Sequence, residues 1–443
     1  MKKRDILIVI IVIAFGVTYN AIRTGDIRFY SGCSVDSREL LDRKYPVTFP
    51  QKELQYDTAT VKKLLIENPA GDIEVARSTD GSFRVKPVIT VYHRNKKQAG
   101  LFAQSVRITS RIEAGNIAMI GIEHDKRDFF RRVRVQFKCF IPENLGLDIT
   151  NRFGNVDVND AGRDVTVNQR YGNLFLKNID SPLSINSHDG RVRLYDITGH
   201  VQLHSNHSRV KIRNVHSIDA KCLQANIFIN DVKEETVFSS VGYSRIEIES
   251  AGRVNIEGKQ TRVKLNSIKN GMEIKNSHAP IYLENVSGNI NINAKDCRLG
   301  ISNVISDSIT IKDSYSYVDL ENVSSKNVEI EINNGELRML FNDIAETLRI
   351  DTRETDVTLN YPESVKPSFH MVLTNGNIIN RTPIQLPVEE EREKHYLTTK
   401  DGKPVITIDS RYGDVILKQT SAVPAEKPIE VPQPSPITAE KSE

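Results

Sequence analysis

Gly154-Asn155-Val156-Asp157-Val158 returns as Gly172-Asn173-Leu174-Phe175-Leu176, as Gly190-Arg191-Val192-Arg193-Leu194 and as Ser208-Arg209-Val210-Lys211-Ile212, each eighteen residues after the last. The anchor position continues through Ala225, Ser244, Thr261, Ala279, Cys297, Ser316, Gly335, Thr355 and Gly376 in steps of 17 to 21 residues. An apolar residue follows each anchor two, and usually four, places on. A unit this short cannot bury its own apolar face, so its copies must stack.

Each copy holds two short runs with apolar residues at every second position, for example Val165 and Val167 followed by Leu174 and Leu176. That is strand spacing, and helical spacing is missing. The unit therefore reads as strand, turn, strand, turn, and the fold class as all-β, a parallel β-solenoid with coils of about 18 residues. Strands in successive coils pair about 4.8 Å apart, so some thirteen coils give a rod roughly 60 Å long.

A second column supports the register. Asp160, Asn178, Asp196, Asn214, Asp231, Ser250, Ser267, Asn285, Asn303 and Asn322 stand six places after the anchor, each followed by Ala, Ile or Val. Small polar side chains suit left-handed turns and can bond to their neighbours in a stack, so the column reads as a structural ladder at one corner. Calcium-binding coils would carry a Gly-Gly-x-Gly-x-Asp nonapeptide, which is absent.

The N-terminus sets the expected compartment. Lys2, Lys3 and Arg4 precede an apolar run from Ile6 that continues to Ile22. Residues 1–22 read as an uncleaved signal anchor, a transmembrane helix that leaves the basic end in the cytoplasm and sends the domain to the periplasm or outside the cell. Two alternatives are cleavage near Ala14-Phe15-Gly16 and lipidation at Cys33, whose preceding Tyr30-Ser31-Gly32 and nearby Arg28 fit a lipoprotein signal poorly. The expected location is the inner membrane, single-pass.

Residues 23–60, with Pro46 and Pro50, read as a linker. Residues 61–147 read as an N-terminal antiparallel β cap, although Gly71-Asp72-Ile73-Glu74-Val75 is already one copy of the repeat. Residues 148–418 are the solenoid repeats. Within them, Pro383 to Pro404, with Glu389, Glu390, Glu391 and Glu393, reads as an acidic loop or degenerate coil before a last repeat at Gly413. Residues 419–443, rich in proline and without aromatics, read as a disordered tail.

Several of these stretches together resemble the bacterial "putative adhesin" family of domains of unknown function. They are Asn68-Pro69-Ala70-Gly71-Asp72-Ile73-Glu74-Val75, a variable strand region, Ile141-Pro142 before Leu147-Asp148-Ile149, and the Gly154 repeats. The resemblance covers residues 61–418 and implies a β-solenoid in cell-envelope proteins. Its shared motif is architectural, so it carries over no functional residue. The chain departs from it where the anchor glycine is lost in the middle coils.

Composition narrows the function. A hydrophobic content of 39% with no Trp suits a thin, two-layered solenoid, and a net charge of +3 with interspersed signs gives no reason to expect nucleic acid. Cys222 and Cys297 lie four coils apart, too far to pair, and read as small apolar core residues; Cys33 and Cys139 are left open. No nucleophile elbow, phosphate loop or H-E-x-x-H pair is present.

Three clusters are candidates for binding. His188, His200, His204, His207 and His216 gather with Asp189, and stacking puts Asp189 and His207 in one column with His188 one place away. They read as histidines on a polar face, with no metal assigned. Lys126, Arg127, Arg131, Arg132, Arg134 and Lys138 interleave with Phe129, Phe130 and Phe137, which suits anionic lipid or acidic glycan. Simple alternation, with Val133, Val135, Phe137 and Cys139 inward, explains the same stretch and is preferred. Phe153, Tyr171, Tyr243, Tyr315 and Tyr412 recur one place before the anchor but are interrupted by Asp189, His207 and Gln224, so they form no continuous strip.

The sequence thus points to a membrane-tethered, non-catalytic scaffold or binding protein with no catalytic residues and no cofactor. Its expected partners are a cell-envelope glycan, a lipid surface or a protein, and its oligomeric state is open. The alternatives are a polysaccharide-active β-helix enzyme, which would need a cleft with two or three clustered carboxylates, and a filament resembling the bactofilins.

Overall fold

The computed structural model describes residues 45–124, 132–399 and 402–420. The signal anchor, Cys33 and the Pro-rich tail beyond Thr420 lie outside the described residues. Among the described residues no helix is long and apolar enough to cross a membrane.

The chain is all-β, and its repeats wind into stacked parallel coils. Val156 pairs with Leu174, Val165 with Leu183 and Leu174 with Val192, so each residue lies against the one eighteen places on. Alternation places Val165, Val167, Leu174 and Leu176 in the core and their neighbours outside. The hydrogen-bonded ladder often runs through the corners without interruption, as in the strands Leu183–Leu223 and Arg298–Pro362.

At most corners a single left-handed residue makes the turn. The expected ladder is one of them: all of its members except Ser250 have positive φ. Asn178 Nδ2 donates to Asp160 Oδ1 at 2.9 Å, Asn214 Nδ2 to Asp196 Oδ1 at 2.8 Å and Asn322 Nδ2 to Asn303 Oδ1 at 3.1 Å. Asn and Asp tolerate the left-handed region and supply the bonds that link coil to coil.

The opposite corner is the column before the anchor, which the sequence pattern shows only as a mixed exposed column. Asp189, His207, Gln224, Tyr243, Gln260, His278, Asp296, Tyr315 and Tyr412 are all left-handed there. In the first coils the anchor glycine does this work instead, with φ of 135° at Gly154 and 146° at Gly172. Where the preceding residue makes the turn, the anchor can be a residue other than glycine, although Gly190 and Gly335 also follow left-handed residues and still have backbone too close for a Cβ. The middle coils use a hydroxyl: Ser208 Oγ donates to Asn206 O at 2.7 Å, Ser244 Oγ to Gly242 O at 2.7 Å and Thr355 Oγ1 to Arg353 O at 2.9 Å. This accounts for the departure from the glycine motif.

Both ends of the stack correct the expected layout. The linker reading fails from Pro46 onward. Pro46–Pro50 and Leu54–Tyr56 pair antiparallel with Phe83–Tyr92, and prolines are tolerated there because an edge strand needs no outward N–H bond. The cap is only partly antiparallel. Ile117–His124 and Val133–Ile141 run parallel to Lys63–Asn68 and Ile73–Arg77, forming a coil stacked before the first one in sequence. The chain then crosses that coil, and Gly146–Phe153 pairs on its other side. Helix Lys96–Gln104, N-capped by Asn95, joins the cap strands.

The C-terminal end uses the same device. Val405–Arg411 pairs with Thr347 to Arg353 on one side and with Ser368–Thr374 on the other, so the last repeat is inserted between two earlier coils. The acidic segment is neither loop nor coil: Val388–Glu391 and Lys394–Thr398 form a hairpin that pairs antiparallel with Ser368–Thr374 and closes the stack. A glutamate-rich outer strand suits an edge that must not recruit further strands.

A buried polar column lies three places before the anchor, at Asn68, Asn151, Gln169, Ser187, Ser205, Asn276, Asp313, Thr352 and Ser410. Asp313 is its one carboxylate. Its Oδ1 accepts from Ser314 N at 2.7 Å and Ser316 Oγ at 2.6 Å, while Oδ2 has no protein partner. Burial raises its pKa to about 6, against those two bonds, so between about 4 and 6 the folded chain holds a proton that the unfolded chain releases. Stability should therefore fall as pH rises through that window and stay lower above it. Asp313→Asn should remove the fall and stabilise the protein by about 1–3 kcal/mol at pH 7.5, with little effect at pH 4. Equal shifts in Tm for the variant at both pH values would refute this.

Candidate functional site

Three outward-facing places gather chemistry. The histidine-bearing coils are the first, and the structure divides them. His188, Asp189 and His207 meet at one corner, with His188 Nδ1 2.8 Å from Asp189 Oδ2. The His188 and His207 ring centroids are 5.2 Å apart, and the edge of Tyr171 flanks His188. His200 and His216 lie at the other side of the coil, bonded to Ser217 Oγ at 2.9 Å and facing Glu234 at 3.3 Å. His204 stands exposed on a strand between them.

The second place is the cap strand Val133–Ile141. Val133, Val135, Phe137 and Cys139 are buried, as alternation requires. Lys126, Arg127, Phe129, Phe130 and Arg131 lie outside the described residues. The outward face instead forms a cluster missing from the sequence reading: Arg84, Lys86 and Lys138 stand 5.6, 5.6 and 5.8 Å from the centre of the Phe140 ring. Asp80, Glu53 and Glu74 pair with these three cations at 3.0, 3.4 and 3.3 Å, so the patch is largely neutralised. Strand pairing between Phe83–Tyr92 and Val133–Ile141 brings the cations together, and no local spacing shows it.

The third place is also absent from the sequence reading. Gly300 faces outward on a strand, opposite Tyr282, which in turn stands opposite Lys264. Where its neighbours project side chains Gly300 projects none, leaving a depression of about 390 Å³ lined by Lys264, Tyr282, Glu284, Arg298, Ser302, Asp319 and Glu321. A Cβ on Gly300 would lie 3.2 Å from the Tyr282 ring. A glycine inside a strand with no turn to make is the signal that could have found it.

The aromatic corner residues form no strip. Phe153 and Tyr171 stack at 5.0 Å, but Tyr243, Tyr315 and Tyr412 stand apart and largely exposed. Cys139, Cys222 and Cys297 are buried free thiols whose pKa values burial raises, which makes them packing residues without reactivity.

A stack of short coils with a mixed cap, running from the first edge strand to the last repeat, matches a family model over residues 47–418. The chain belongs to the Toastrack DUF4097 family. As a Toastrack protein it carries a domain of unknown function over nearly all of its described length. Solved structures similar to it include a putative cell adhesion protein from Clostridium sporogenes, at 10% identity over 85% of this chain and 100% of that one, with a TM-score of 0.14. Another is a putative adhesin from Parabacteroides distasonis, at 10% identity over 84% and 97% of the two chains and a TM-score of 0.19. A putative lipid binding protein from the same species matches at 10% identity over 84% and 96%, with a TM-score of 0.15. Similarity this distant carries no argument about ligand. No curated protein matches the chain.

Proposed function

We propose that this Toastrack protein is a non-catalytic binding scaffold of the bacterial cell envelope, held at the inner membrane by residues 1–22, and that it takes an envelope glycan at the Gly300 depression. The observation that carries the reading is the missing side chain at Gly300 beside the exposed Tyr282 ring. A ring face for a sugar to stack on, with carboxylates and an Arg to bond its hydroxyls, is the lining a saccharide needs. The volume of about 390 Å³ is in the range of small-ligand sites.

The experiment is a glycan and peptidoglycan binding screen with the full-length chain in detergent. Gly300→Leu, which fills the depression, and Tyr282→Ala should each weaken capture at least about tenfold, the cost of one lost stacking contact or a blocked site. Neutralising Arg132 and Arg134 should leave capture unchanged. Undiminished binding by Gly300→Leu would sink the glycan reading.

Glu284, Asp319 and Glu321 line the same depression, and clustered carboxylates favour a polysaccharide-active enzyme. Release of reducing ends from a bound glycan, lost in Glu321→Gln, would establish that alternative. A filament resembling the bactofilins is disfavoured by the proline-bounded strand at one end and the acidic hairpin at the other.

A further inference from the structure

His188, Asp189 and His207 each offer one ligand atom, and these atoms all lie within 4.8 Å of one another. We infer that they form a zinc-binding site at the corner of two successive coils.

The backbone brings the ligands together. Asp189 and His207 are eighteen residues apart and both take the left-handed turn, with φ of 56° and 51°, so equivalent side chains leave the corner one above the other. Coil spacing of about 4.8 Å matches the reach needed for two side chains to share one ion. His188 approaches Asp189 from the preceding position, with 2.8 Å between its Nδ1 and Asp189 Oδ2; around a tetrahedral ion with bonds of about 2.0–2.1 Å the same two atoms stand about 3.3 Å apart, so a shift of roughly half an ångström admits the ion. A cation can therefore replace the proton these two atoms share. The corner is half-buried at His188 and Asp189 and open at His207. The Tyr171 ring on one side of His188 and the His207 ring on the other restrict the rotation of the central imidazole, which lowers the cost of ordering it.

The donor set selects the ion. Two imidazoles and one carboxylate suit zinc, whereas calcium and magnesium take oxygen ligands. Three protein ligands leave a fourth tetrahedral position for water or for a donor from a bound partner. Another corner provides an internal comparison: His278 Nε2 and Asp296 Oδ2 repeat the stacked pair at 3.3 Å, and no third His, Cys, Asp or Glu joins them in a cluster among the described residues. Sequence spacing assigns no metal to these histidines because it does not show that all three ligand atoms converge.

The test is calorimetric titration of the EDTA-treated full-length chain in detergent with zinc sulfate. Expected at pH 7.5 is one equivalent of saturable binding, insensitive to excess calcium. His207→Asn keeps a residue that tolerates the left-handed corner, and His188→Gln alters a position without that demand. Each should weaken zinc binding more than tenfold, while His278→Gln should not. Cobalt substituted for zinc should give the intense visible absorption of a four-coordinate site in the parent chain and in His278→Gln, and not in His207→Asn or His188→Gln. Unchanged stoichiometry and affinity in His207→Asn and His188→Gln, or no saturable zinc binding by the parent chain, would overturn the site.

Discussion

Gly172→Val is expected to cost about 4 kcal/mol or more and to leave the early coils unfolded at growth temperature. Gly172 sits at φ of 146°, outside what a β-branched residue can adopt, and an added Cβ would lie 1.8 Å from Gly154 O in the coil before it. Backbone strain and backbone collision therefore act together, and neither is relieved by a rotamer change. Because each coil is stabilised by its neighbours, the damage should spread along the stack. Ser208→Gly, at the same column but after a left-handed His207, should cost under about 1 kcal/mol, the loss of one hydroxyl bond. Urea midpoints followed by circular dichroism measure both. A Gly172→Val midpoint within error of the parent would show that the corner is not built as described.

A chain ending at Thr399 is expected to lose its C-terminal coils, although it removes only the final repeat and the tail. Val405–Arg411 lies between two coils, and Val415–Thr420 pairs with Val357 to Pro362 on one side and with Ile378–Arg381 on the other. Truncation withdraws Ile406, Ile408, Val415 and Leu417 from the core. At roughly 1.5–3 kcal/mol for each buried aliphatic side chain, the loss exceeds what a few terminal coils can supply, and it opens two strand edges inside the rod. Hydrogen exchange should show loss of protection from about Thr347 to Thr398, with the Gly154 coils unaffected. A chain ending at Thr420 is the length control. Retained protection of Ser368–Thr374 in the shorter chain would show that the inserted repeat is dispensable.

The insertion gives both chain ends a common logic. Lys63–Arg77, the first coil in sequence, is covered by a coil from later in the chain, and Val405–Thr420, the last, is covered by an earlier one. A solenoid whose first or last coil were also its outermost would fray from that end. Here each terminal repeat is held on both sides.

Most of the rod is legible in the residues alone. Alternation at Val165, Val167, Leu174 and Leu176 names the inward face, and the Asp160 to Asn322 column names a corner, because both patterns arise from contacts within a coil or between adjacent coils. The second corner is harder to read. Asp189, His207, Tyr243 and Tyr315 share a backbone conformation, φ between 50° and 59°, and no side-chain type. The cap is misread where Pro46 and Pro50 look like linker residues, since sequence does not distinguish a proline in a loop from one on an outer strand edge.

The repeat by itself determined the two-strand coil, the alternation of its faces and the polar ladder. A period of eighteen residues leaves an apolar stripe that only another copy can cover. Only the tertiary structure decided which copies are neighbours when the period breaks, because coils with the same alternation can stack in any order. The same assembly created the three candidate sites: the cations around Phe140, the open space at Gly300, and the convergence of His188, Asp189 and His207. Each depends on side chains that leave different coils or strands and meet outside the core, where the apolar period imposes no constraint.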